Sequence, residues 1–151
     1  MNFLDQITED IKAAMKARDH GKLEALRGIK KELLEAKTAK GASAELAEAD
    51  IMKVLQKMVK QRKDTAALYV EQGRQDLAEI EQNEASVIAQ YLPAEMSAEE
   101  LQKTIAEIIA EVGATSPKDM GKVMGVASKK LAGRAEGKAI SECVKALLAG
   151  K

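Results

Sequence analysis

Apolar residues recur every three or four positions along most of the chain, the period of a helix that buries one face. Leu4, Ile7, Ile11 and Met15 mark a first helix, which His20-Gly21 ends. Leu23, Leu26, Ile29, Leu33 and Leu34 mark a second, which fades over Thr38-Ala39-Lys40-Gly41. Residues 41–49 have no clear period and read as an Ala-rich loop with some helical character. A long third helix carries Ile51, Val54, Leu55, Met58, Val59, Ala66 and Tyr69, and Gly73 breaks it. Leu77, Ile80, Val87, Ile88 and Tyr91 mark a fourth, stopped by Pro93, which has no backbone donor and disfavours a helical predecessor.

Three shorter helices follow. Ser97-Ala98-Glu99-Glu100 has the spacing of a capping box, and Leu101, Ile105, Ile108 and Val112 give the next helix one apolar face. Ser116-Pro117 is a start signal, with Ser as N-cap and Pro at the first helical position. Met120, Val123, Met124, Ala127 and Leu131 are that helix's inner face. Gly133-Arg134-Ala135-Glu136-Gly137 reads as a turn, and Ile140, Val144, Leu147 and Leu148 form the last helix. No segment alternates with period two. The predicted fold is all-α, with an N-terminal helical hairpin bundle over 1–92 and a small three-helix C-terminal domain over 93–151.

Composition narrows the chemistry. The 151 residues hold one cysteine, Cys143, one histidine, His20, and no tryptophan. A disulfide framework, a cysteine-based zinc site and most histidine-based metal or acid–base sites are excluded, and no cofactor is expected. Phe3, Tyr69 and Tyr91 are too few for a base-stacking platform. No apolar run is long enough to span a membrane. The first 15 residues carry Asp5, Glu9 and Asp10 where a secretory signal needs an unbroken apolar stretch, so a cytoplasmic location is expected.

Lys plus Arg and Asp plus Glu both number 24, but the zero balance hides a strong polarity. Lys53 to Lys63 holds five bases and no acid. Asp76 to Glu111 holds nine acids and one base, Lys103, while Ser116 to Lys151 holds eight bases and three acids. Lys53, Lys57 and Lys60 recur at helical spacing. The plain reading is a solvated face that meets the acidic helix of the same molecule, with a mild repulsion along the row.

Two glycine motifs invite a functional reading. Gly133 to Lys138 resembles a phosphate loop only superficially, since it has three residues between its glycines and Ala139 after the lysine. Its glycines have a steric use, and its amides beside Arg134 and Lys138 offer a phosphate contact. Gly121 and Gly125 lie on one helix face, where each glycine costs about 1 kcal/mol relative to alanine. Something approaches that face: a neighbouring helix, or an RNA backbone flanked by Lys122 and Lys129. His20 reads as a helix-end residue facing carbonyls, and Cys143 as a small core residue without a base to activate it. Glu84, near an inner stripe, calls for a Lys or Arg of the third helix.

Five motifs in register carry a family resemblance. Val59-Lys60-Gln61-Arg62-Lys63-Asp64-Thr65, Gly73-Arg74-Gln75-Asp76-Leu77-Ala78 and Gln90-Tyr91-Leu92-Pro93 are similar to the GatB/YqeY family. So are Lys118-Asp119-Met120-Gly121-Lys122-Val123-Met124-Gly125 and Gly133-Arg134-Ala135-Glu136-Gly137-Lys138. The resemblance covers residues 1–149 and is to the stand-alone members, without the catalytic cradle domain that precedes the tail of GatB. It implies a noncatalytic module that engages tRNA or a tRNA-handling complex, as that tail does in the tRNA-dependent amidotransferase. The positions it transfers are Lys118, Gly121, Lys122, Gly125, Gly133, Arg134, Gly137 and Lys138, and Lys129 joins them as a flanking cation. Glu136 departs from the Asp more usual in the turn. Two alternatives remain open: a protein–protein adaptor without a nucleic-acid role, which exposed Met120 or Met124 would favour, and a carbon–nitrogen ligase with glutamine as amido-N-donor, by family label only.

Overall fold

The computed structural model describes residues 2–41 and 45–150. Among these residues the chain is all-helical, with no strand. Seven α-helices run α1 Phe3–Lys16, α2 His20–Lys40, α3 Glu48–Glu71, α4 Gln75–Ala89, α5 Ala98–Val112, α6 Met120–Lys130 and α7 Gly137–Ala149. A 3-10 turn, Pro117–Asp119, leads into α6. The chain divides into two compact units, one ending at Leu92 and the other beginning at Pro93.

In the first unit α1 pairs with α2 and α3 with α4, while α2 also packs on α4. The apolar period explains the core: Ile7, Leu26, Ile29, Leu33, Leu55 and Ile88 are fully buried together. Each such side chain contributes about 1.5–3 kcal/mol relative to exposure. Asn2 caps α1 by accepting from the Asp5 N–H at 2.8 Å, and the Asp5 carboxylate accepts from the Asn2 N–H at 3.2 Å. Beside this cap, Phe3 meets Tyr91 edge to face at 5.8 Å. The Tyr91 hydroxyl donates to Asp10 Oδ2 at 2.6 Å, tying α1 to the end of α4.

Several sequence expectations shift. α1 ends at Lys16, not at His20-Gly21; Arg18 takes the left-handed conformation (φ 55°), and Asp19 caps α2 by accepting from the Lys22 N–H. His20 is therefore the first residue of α2, where amides rather than carbonyls are free. Gly21 lies inside α2 because α4 comes close: a Cβ there would stand 2.9 Å from the Asn83 side-chain nitrogen. Met15, Leu34 and Ile80 are about half exposed rather than core. Ala14 takes the inward position beside Met15, and Leu33 takes the one beside Leu34. Between Thr65 and Ile80 the buried residues are Ala66 and Ala78 alone, so that end of the α3–α4 hairpin leaves Leu68, Val70 and Ile80 in solvent. Of the loop placed over 41–49, residues 42–44 lie outside the described residues, and α3 already begins at Glu48.

The second unit packs α5, α6 and α7 mutually around Leu101, Ile105, Ile108, Ile109, Val123, Val144 and Leu148. Ser97 accepts from the Glu100 N–H at 3.1 Å, the first half of the box its spacing predicts. Gly113 closes α5 in the left-handed region that glycine enters without steric cost. Pro117 opens a 3-10 turn rather than an α-helix, and the α-helix proper starts at Met120.

Candidate nucleic-acid interface

Lys118, Lys122, Gly125 and Lys129 succeed one another at intervals of four, three and four residues, which places them along one side of α6 and its lead-in turn. All four are exposed, and so is Gly121. The opposite side of α6 buries Val123 and Ala127, with Met120 and Met124 half-buried against the same core. The exposed side therefore has a floor of backbone and rims of lysine. A Cβ built on Gly121 or Gly125 would meet nothing within 4 Å. Among the described residues, no neighbouring helix comes close enough to account for the two glycines. From Met120 to Ala135 the sequence contains no acid.

Local electrostatics keep this face positive. Asp119, the nearest carboxylate in sequence, is turned to the backbone: its Oδ2 accepts from the Thr115 N–H at 2.9 Å and the Ser116 N–H at 3.4 Å. The Thr115 hydrogen bond chiefly holds the Asp119 pKa below its ordinary value, and the Lys122 charge adds to that. Lys130, just past the row, is the cation that pairs, reaching Glu111 at 2.8 Å. Lys118, Lys122 and Lys129 make no ion pair at contact distance among the described residues.

The other motif behaves differently. Gly133 is buried and left-handed (φ 79°), a conformation a Cβ would strain. Arg134 is half-buried and works as an anchor: its carbonyl accepts from the Met96 N–H at 2.9 Å, and its Nε donates to the Ala94 carbonyl over a long 3.5 Å. Gly137 and Lys138 are exposed in the first turn of α7, whose cap position, Glu136, makes no side-chain capping bond. The turn thus holds the start of α5 in place and offers solvent one full cation, Lys138. Of the nine candidate positions, five share the α6 face and four belong to this turn.

Outside these motifs, Arg62 of α3 is the partner that Glu84 calls for, at 3.1 Å with both side chains about four-fifths buried. Burial, and then the Glu84 charge beside it, raise the Glu81 pKa. Cys143 packs against the second core, and burial raises its thiol pKa, the wrong direction for a nucleophile. Lys53, Lys57 and Lys60 are exposed, as a solvated face requires, but they do not meet the acidic helix: of the acid-free run, Arg62 alone does so. Sequence reading missed the Asp10–Tyr91 bond, because nothing local links residues 81 apart. It also missed the Asn2–Asp5 box, although that spacing was legible.

Two helical units, the second with an exposed lysine-bearing side on α6, define the class of the fold: an all-helical protein in two parts. The sequence profile described as Yqey-like protein matches residues 4–148. The chain belongs to the YqeY-like family. It is similar to "Altered inheritance of mitochondria protein 41, mitochondrial" of Clavispora lusitaniae, 35% identical over 74% of this chain and 65% of that protein. The protein of the same name from Kluyveromyces lactis is 30% identical over 74% of this chain and 60% of its own length. That of Meyerozyma guilliermondii is 34% identical over 59% of this chain and 46% of its own. The chain spans less than two thirds of the length of these relatives. Their names overturn the cytoplasmic expectation, which rested on the lack of a membrane-length apolar run and on the acids among the first 15 residues, neither of which specifies a compartment.

Proposed function

We propose that the chain is a noncatalytic RNA-binding module that holds tRNA through the exposed side of α6. The observation that carries this reading is the open glycine floor at Gly121 and Gly125 between unpaired Lys118, Lys122 and Lys129. Phosphate contacts need cations and close backbone approach rather than apolar anchors, and both are present there. Lys138, exposed at the start of α7, adds a further cation. A protein-docking role for α6 lacks the exposed methionines that would favour it, since Met120 and Met124 pack inward. The relatives' names support a mitochondrial setting for this activity.

The test is a fluorescence titration of the full chain with tRNA at several salt concentrations. Affinity falls steeply as salt rises, and a Lys118→Gln/Lys122→Gln/Lys129→Gln variant shows a salt slope lower by about 2–3, close to one unit per lost phosphate contact. Absence of binding at low salt, or an unchanged slope in the variant, contradicts the assignment.

A further inference from the structure

We propose that the N-terminal unit carries a second RNA-backbone site, the outward row Lys53, Lys57 and Lys60 of α3. The inference rests on the RNA reading of α6. It adds a distinct surface that the glycine motifs do not touch.

Helix α3 has three uses for its sides. One packs on α4 through Arg62 and Ala66. Another faces α2, where Met58 and the Arg62 guanidinium bound the space over Gly28. The lysines lie along what remains, with Lys57 at its border with the α2–α3 cleft, at intervals of four and three residues, and every one is exposed. At 1.5 Å rise per residue, the row spans about 10 Å. Like charges so arranged repel one another unless a partner neutralises them.

Within the described residues no such partner makes contact. Six ion pairs are formed, and none includes Lys53, Lys57, Lys60 or Lys63. Asp50, one turn before Lys53, is committed to Lys40, with Lys53 only adding to the field that lowers its pKa. Glu32 and Glu35 share the wall of the α2–α3 cleft with Lys57, yet neither pairs with it. Asp64 closes the row one turn beyond Lys60 and is likewise unpaired.

The side chains around the row decide between an acidic protein and RNA. Protein interfaces concentrate their energy in buried aromatic, arginine and large apolar anchors. Between Lys53 and Lys60 the three lysines are the only exposed residues of α3, and the exposed Leu68 lies about two turns past Lys60. Lysines without anchors are the composition of phosphate-backbone contacts, where counterion release supplies the affinity and no base is read. The α6 face shares that chemistry.

The experiment is a titration of unfractionated tRNA into three full-length proteins across a salt series. They are the wild type, Lys53→Gln/Lys57→Gln/Lys60→Gln, and Lys118→Gln/Lys122→Gln/Lys129→Gln, each with helicity checked by circular dichroism. The α3 variant is expected to lose about 2–3 units of salt slope and about tenfold or more in low-salt affinity, as the α6 variant does. An unchanged α3 variant beside a weakened α6 variant overturns the second site and leaves the α6 reading standing. A weakened α3 variant beside an unchanged α6 variant supports the α3 row and overturns the α6 assignment. If neither variant changes, both fail. If polyglutamate of comparable charge competes through the α3 row as well as tRNA does, the row is an acidic-protein site and the RNA assignment falls.

Discussion

Replacing Gly121 and Gly125 by alanine separates what the fold asks of α6 from what a ligand asks. A Cβ at either position meets nothing within 4 Å, so no packing is lost. Gly125 is mid-helix, where alanine gains about 1 kcal/mol; Gly121, in the first turn, gains less, and together they give roughly 1–1.5 kcal/mol. The tyrosines and the phenylalanine all lie in the first unit, so intrinsic fluorescence does not report on α6. Amide hydrogen exchange does. Where α6 amides exchange by unfolding of their unit, Gly121→Ala/Gly125→Ala slows them about five- to tenfold. The same variant binds tRNA more weakly at an unchanged salt slope, because every lysine stays and only the close approach is blocked. Faster exchange means that something does pack on the glycine face, and the reasoning fails. Slower exchange with undiminished binding leaves the stability argument intact and removes the glycines from the interface.

Three further outcomes follow from the first unit. Glu84→Gln breaks the charge pair with Arg62, costs about 1–3 kcal/mol in urea unfolding, and lowers the Glu81 pKa in an NMR titration by removing the neighbouring charge. Burial and the Asp10 bond raise the Tyr91 pKa well above its ordinary value, so the folded chain keeps the proton while unfolded tyrosine ionises near about pH 10. Stability from this group is complete below that pH and falls above it. Tyr91→Phe removes that alkaline fall and costs about 1–2 kcal/mol at pH 7, read from urea midpoints at successive pH values. Ile80→Lys changes stability by less than about 0.5 kcal/mol, because the side chain is 55% exposed, whereas the fully buried Ile88→Ala loses about 2–5 kcal/mol. A large loss at Ile80 in the isolated chain contradicts the exposed hairpin end.

Helix periods and caps were legible because they are local: Leu26, Ile29 and Leu33 face inward as their spacing dictates, and Ser97 caps α5. Where one helix outruns its neighbours, periodicity misleads. Ile80 continues the apolar stripe of α4 into a stretch whose buried residues are alanines, and a period carries no information about where the facing helix stops. Gly21 reads as a terminator from sequence, but its use is to admit Asn83 from a helix some sixty residues on. For the candidate site, sequence grouped the two glycine motifs together. Backbone bonding separates them, since Arg134 is tied to the segment before α5 while the α6 lysines face solvent.

Lysine footprinting with and without tRNA, read by mass spectrometry on the full chain at low salt, tests the central claim most directly. Lys118, Lys122 and Lys129 are exposed in the free chain, and tRNA is predicted to protect them from acetylation while Lys12, on α1, stays fully reactive. Equal labelling of the α6 lysines in the presence and absence of tRNA contradicts the assignment.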